Sequence, residues 1–190
     1  MQYYILDGLG EDKKFCHVDS SVEGFNDYDL VLDDGGTLKG VYPKDPYEVI
    51  MHLDEDYPKN IVKGDLVCTT DDYVMVSERV VEELKKHNIQ EAEFWPFTLM
   101  NHKGRVHSKD YRFVVTPQFD ALHDELSDIK RSANGVAVRL RKIVLDKKKL
   151  ENAPDMFRVN DLGIMAFSGL LVKILQKKFT NFVFNEVEQA

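Results

Sequence analysis

The chain has 190 residues, 43% apolar and 31% charged, a balance that supports a buried core and argues against disorder as its main state. Its formal charge of −8 is unevenly placed: residues 1–72 hold 17 acidic against 6 basic side chains (−11), and the remainder holds 16 against 19 (+3). With no run near the roughly 20 apolar residues that span a bilayer and no basic, apolar leader at Met1–Asp7, a cytoplasmic protein is expected. Its acidic first third would repel nucleic acid and membranes.

Along the chain, Tyr3 and Ile5 predict a first strand and Asp29–Leu32 a second, followed by a turn at Asp33-Asp34-Gly35-Gly36. Asp45 as N-cap and Pro46 at the first helical position predict a short helix carrying Tyr47, Ile50, Met51 and Leu53. Residues 1–64 therefore read as an acidic, loop-rich portion of the same domain, and 65–190 as its core.

That core contains one pattern twice, over residues 65–97 and 155–187. Each copy reads strand, helix, strand. Ser77 and Ser168 stand 91 positions apart at the two helix starts, where a hydroxyl can accept from an unpaired backbone N–H. Val80, Val81 and Leu84 form one apolar stripe, with Glu82, Glu83, Lys85 and Lys86 facing water; Leu170, Leu171, Ile174 and Leu175 form the other. Between the copies, Tyr111, Phe113 and Val115 predict a strand. Val136, Val138 and Leu140 predict another, apolar on one face, with a bulge where the alternation slips at Lys142-Ile143. The expected fold is α+β, with two Ser-capped helices on a mixed or antiparallel sheet.

Chemistry is sparse. Cys16 and Cys68 read as reduced, buried thiols. No His or Cys spacing matches a metal site, and Cys16-His17 with Asp19 offers too few ligands. Asp120, His123 and Asp124 are the nearest approach to an acid–base cluster, but they sit in a polar stretch with no sign of a tuned environment. Neither a nucleophile elbow nor a phosphate-cradling glycine loop is present. No catalytic residue, metal or cofactor is expected. Basic residues gather at Arg139, Arg141, Lys142 and Lys147–Lys149 without the interleaved aromatics of a nucleic-acid surface.

Recognition remains. Short acidic groups each lie beside an aromatic: Asp33 and Asp34 near Tyr28, Asp54-Glu55-Asp56 before Tyr57, and Asp71-Asp72 before Tyr73. Acidic residues rimming an exposed aromatic would suit a basic protein partner. Ordinary polar turns are the simpler reading.

The order of Asp65-Leu66, Val76-Ser77-Glu78-Arg79-Val80, Glu93-Phe94-Trp95-Pro96-Phe97, Tyr111–Val115, Asp120, Ser127, Ile143–Asp146 and Met156-Phe157-Arg158, closing on the Ser168 helix, carries a resemblance. It resembles, over roughly residues 65–187, a bacterial family first catalogued as uncharacterised and now grouped as immunity family eleven of polymorphic toxin systems. Gly169 departs from that pattern, where an acidic residue is usual. The resemblance implies a cytoplasmic protein that binds and neutralises a cognate toxin delivered by a neighbouring or sister cell. It carries over no functional residues. Two other readings stand beside it: a small-molecule enzyme using Asp120, His123 and Asp124, and a scaffold or oligomerisation module, with a homodimer compatible with either binding role.

Overall fold

The computed structural model describes residues 1–10, 14–25, 36–69, 73–87, 89, 92–133, 137–160 and 162–190. The strands are β1 (Tyr3–Asp7), β2 (Val18–Glu23), β3 (Ile50–Leu53), β4 (Leu66–Val67), β5 (Met75–Ser77), β6 (Glu93–Pro96), β7 (Thr98–Met100), β8 (Val106–Ser108) and β9 (Tyr111–Val115). They continue with β10 (Gln118–Phe119), β11 (Asp128–Arg131), β12 (Ala137–Lys142), β13 (Val144–Leu145), β14 (Met156–Val159), β15 (Met165–Ser168), β16 (Val183–Glu186) and β17 (Glu188–Gln189). The helices are α1 (Glu78–Lys86) and α2 (Gly169–Lys178). The fold is α+β. Its sheets run β2-β3-β7-β8, β4-β5-β9-β6, β10-β14-β15-β1-β16, β11-β12 and β13-β17, with parallel pairs at β3/β7, β10/β14 and β13/β17.

Two of these sheets are wired alike. Hairpin β4–β5 leads through α1 to β6, and hairpin β14–β15 leads through α2 to β16. In neither sheet do the strands flanking the helix touch. β9 stands between β5 and β6, and β1 between β15 and β16, antiparallel to both neighbours in each case. The registers correspond, since Tyr111 lies opposite Ser77 and Tyr3 opposite Ser168. So do the backbone bonds at each hairpin entry and helix start: Ser77 N donates to Asp65 O and Ser168 N to Asp155 O, both at 2.8 Å. Glu78 N donates to Asp110 O at 2.7 Å and Gly169 N to Gln2 O at 2.8 Å. Even the phenols agree. Tyr111 Oη donates to Gly64 O at 2.8 Å, and Tyr3 Oη lies 3.1 Å from Ala153 O and 3.2 Å from Pro154 O. Each sheet thus takes its inner strand from the segment that precedes the other hairpin.

Both helices pack into the same core. Val80, Val81 and Leu84 of α1 join Leu171, Val172 and Leu175 of α2, with Leu66, Val76, Met156 and Phe167 from the two sheets. The other face of β4-β5-β9 (Val67, Met75, Tyr111, Phe113, Val115) closes on β2, β3 and β7 through Val22, Met51 and Leu99. The other face of the second sheet (Tyr3, Phe157, Val159, Ala166) packs on Leu122, Leu145 and Leu150. With both faces covered, Val114 is as buried as Phe113, so the alternation expected at Tyr111–Val115 gives way to a buried apolar run over Phe113–Val115.

Several local expectations change. The strand at 29–32 and most of the turn at 33–36 lie outside the described residues. Asp45 does cap a turn through Tyr47 N (3.0 Å), but the helix is a single 3-10 turn, Pro46–Glu48. Ile50–Leu53 continues as β3, because its alternating half-buried and buried side chains fit a strand between β2 and β7. Ser168 caps α2 by accepting from Leu171 N at 3.4 Å. Ser77 makes no such bond: its hydroxyl donates to the buried Asp65 carboxylate at 2.7 Å, the stronger acceptor. On α2 the stripe is Leu171, Val172 and Leu175, and Leu170 is 55% exposed.

Glu83, expected to face water, is 7% exposed. It accepts from Lys178 Nζ of α2 at 2.5 Å, Lys86 Nζ at 3.2 Å and His87 Nε2 at 3.4 Å. Hydrogen bonds from Lys178 and Lys86 hold its carboxyl down at about 2 against an ordinary 4.5. Because the folded value is depressed, the stabilisation is fully present above pH 4.5 and lost as pH falls toward about 2. Acid titration of stability should therefore be shallower across that window in Glu83→Gln than in the parent, as read from urea midpoints at successive pH values.

Candidate recognition surface

The β2-β3-β7-β8 sheet buries one face on Phe97 and Leu99 and leaves a polar groove outside. From β2, which is irregular between Val18 and Val22, Asp19, Ser21 and Glu23 all line it. β3 contributes His52 and Leu53, the turn after it Glu55, and the β7–β8 turn Asn101, His102 and Gly104. Together they line a depression of about 340 Å³. Asp19 accepts from Ser21 N (2.7 Å) and Ser21 Oγ (2.5 Å), and those bonds hold its carboxyl below the usual carboxylate range. Glu23 Oε1 lies 3.1 Å from His52 Nε2. Both ring nitrogens of His102 are buried without a hydrogen-bond partner among the described residues. Asn101 shapes the tip, its Oδ1 accepting from Lys103 N and Arg105 N while Gly104 takes a φ of 63°.

Asp54, Glu55 and Asp56 form the turn beside this groove. Asp54 Oδ1 accepts from Asp56 N at 2.9 Å, and Asp54 O accepts from Tyr57 N at 3.1 Å. Tyr57 is 41% exposed and stacks on His17, ring centroids 4.4 Å apart. Burial lowers the His17 pKa, so the neutral ring is favoured beneath the tyrosine. Of the expected contact residues, Asp54, Glu55, Asp56 and Tyr57 thus form one patch, joined to the groove through Glu55. Tyr73 differs: at 6% exposure it belongs to the core beside Met75 and Phe113, because its strand entry points inward. Asp33, Asp34, Asp71 and Asp72 lie outside the described residues. Asp19, Glu23, His52 and His102 were not anticipated as a site. They come from segments up to 83 positions apart (102 minus 19), and only the period-two spacing on β2 was visible beforehand.

The remaining polar candidates are engaged otherwise. Lys149 Nζ binds Asp120 Oδ1 at 2.8 Å and lies 3.9 Å from Asp124 Oδ2, both carboxylates being well exposed. His123 is held by its backbone, N–H to Val144 O, which leaves the three residues as a surface ion-pair turn. Cys16 and Cys68 are fully buried, and burial pushes the Cys16 thiol up to about 11. Among the described residues no three His, Cys, Asp or Glu side chains converge as a metal would need, and no helix is long and apolar enough to cross a membrane.

The fold and this surface define a small α+β protein whose polar features lie on exposed, preformed strands and turns. The chain belongs to the Immunity protein family (Imm11), which matches residues 42–189. No curated protein matches it. The matched region takes in β3 onward, including the Asp54–Tyr57 turn, and leaves β1 and β2 outside. The residues behind the family resemblance are largely architectural. Met156, Phe157 and Arg158 are at most 2% exposed on β14, and Arg158 donates to Gly163 O. Tyr111 and Phe113 are core.

Proposed function

We propose that this chain protects its cell by binding a cognate protein toxin one-to-one in the cytoplasm, without catalysis, as part of a polymorphic toxin system used between neighbouring cells. Membership of the immunity family is the observation that carries this reading. The contact surface is the acidic groove with its turn: Asp19, Glu23, Glu55, Asp54, Asp56 and Tyr57. It complements a basic patch on the toxin, where charge sets encounter rate and register and the stacked Tyr57 supplies apolar area. Asp33, Asp34, Asp71 and Asp72 stay candidate contacts on the sequence alone.

The test is co-expression with the toxin gene encoded immediately upstream. The parent chain should restore growth and form an equimolar complex. Glu23→Lys combined with Glu55→Lys should weaken that complex at least about tenfold, roughly 1.4 kcal/mol, mainly through the association rate and more at low salt. Its unfolding midpoint should stay within about 0.5 kcal/mol of the parent, since both side chains are exposed. Absence of complex with the parent chain would reject the function, whereas an unaffected charge-reversal variant would reject only the surface.

A further inference from the structure

The β11–β12 ribbon is the part of the fold whose side chains are least accounted for by packing. Among the described residues no third strand joins it, and Val138 is 57% and Leu140 40% exposed. Its two strands carry Lys130, Arg131, Arg139, Arg141 and Lys142 against a single acid, Asp128. Lys130 lies directly opposite Arg139 in the ladder, a like-charge pairing that disfavours the ribbon by itself. Those two, with Arg141 and Asp128, surround a depression of about 340 Å³. Lys142 is paired with Glu188 at 2.8 Å, while around the depression the exposed Arg141–Asp128 pair at 3.7 Å offsets little of the charge of Lys130, Arg139 and Arg141.

The ribbon is nevertheless held firmly at its base. Ser127 Oγ donates to Val144 O and accepts from Val144 N, both at 3.1 Å; Lys142 Nζ binds Glu188 at 2.8 Å; and Ile129 packs on the third core. An anchored strand pair with concentrated positive charge and exposed aliphatic side chains loses little entropy on docking. We propose that this ribbon is a docking arm for an acidic protein surface, separate from the acidic groove and independent of the toxin reading. Register shifts leave Val138 and Arg141 as bulged residues, which blunts strand addition at the edges, so recognition runs through the faces. Carboxylates on the partner relieve the Lys130–Arg139 repulsion on the face that these two share with Arg141. A protein fits better than a nucleic acid. The ribbon strands have no aromatic to stack a base.

The probe is a fluorescein-labelled peptide of sequence Glu-Glu-Leu-Glu-Glu-Leu-Glu-Glu, followed by anisotropy with the full chain, beside a single-stranded DNA of equal charge. Binding of the peptide should fall at least about tenfold in a Lys130→Glu, Arg139→Glu, Arg141→Glu variant, as loss of several charge contacts requires. Val138→Ser with Leu140→Ser, on the opposite face of the ribbon, should leave the affinity within about twofold of the parent. Circular dichroism on both variants guards against unfolding. No binding by the parent, binding unchanged in the charge variant, or DNA bound as tightly as peptide would each overturn the proposal.

Discussion

Removing residues 1–7 is expected to abolish the cooperative unfolding transition of the whole chain. β1 is the inner strand of its sheet, paired to β15 on one side and β16 on the other. Its loss orphans the backbone groups of both neighbours, which no adjacent strand can take over. It also removes Tyr3, 1% exposed, whose ring packs 5.4 Å from Phe157 and whose hydroxyl reaches the carbonyls at the entry to β14. The damage should not stay in one sheet, because α2 shares its core with α1 and with the β4-β5-β9 sheet. As a control, removing residues 188–190 takes away the two-residue pairing of β17 with β13, the exposed Lys142–Glu188 ion pair and the bonds around Ala190, and should leave a cooperative transition. A graded version is Tyr3→Ala, at about 3–5 kcal/mol for a large buried aromatic. Tyr111→Ala, at the matching place in the other sheet, should cost a similar amount. Thermal and urea unfolding measure all four. A folded, cooperative chain lacking β1 would show that the inner strand is dispensable.

This reciprocal use of inner strands explains what the sequence could and could not reveal. The two strand–helix–strand segments are legible because hydrophobic periodicity is a local property, whereas capping is seen only at Ser168, Ser77 binding Asp65 instead. The partner of each unit is not legible, since the pairing of β1 with β15 spans more than 160 residues and nothing in Tyr3–Asp7 encodes its register. The one-position error on α2 has a plain cause: Leu170 and Val172 are equally apolar, and only the tertiary contact selects Val172. Glu83 was misread because burial of a carboxylate depends on Lys178, which comes from the other helix. The candidate surface was half visible for the same reason. Asp54–Tyr57 is a contiguous turn and could be named, whereas Asp19, Glu23 and His102 become neighbours only when β2, β3 and the β7–β8 turn assemble. The alternation at Val138 and Leu140 predicts an apolar face, and alternation alone does not distinguish a covered face from a bare one.

The division of labour in the fold follows. Residues that carry the family resemblance sit mainly in the cores, so they specify the scaffold. The polar groove draws Asp19 and Glu23 from β2, outside the matched region, which is where partner-specific variation would be cheapest for the fold.

The second large effect is expected at Asp65, the residue that ties the two wired units together. It is 6% exposed and its carboxylate accepts three hydrogen bonds: from Ser77 Oγ at 2.7 Å, Thr180 N at 3.0 Å and Thr180 Oγ1 at 3.1 Å. Thr180 follows α2, whereas Asp65 enters β4, so the cluster joins the end of one unit to the start of the other. Beside it, Asn181 at a φ of 70° donates to Leu66 O at 2.9 Å, fixing the same junction. Asp65→Ala leaves three donors without their acceptor; Ser77 is half-buried and Thr180 exposed, so water replaces part of what is lost, and the change should cost about 1–3 kcal/mol. Thr180→Val alone removes one of them and should cost about 1–2 kcal/mol. Because the two side chains share a bond, the double variant should be less destabilised than the sum, by about 1 kcal/mol or more in a double-mutant cycle. Strict additivity would mean that Asp65 and Thr180 act separately and that the junction is held by the cores alone.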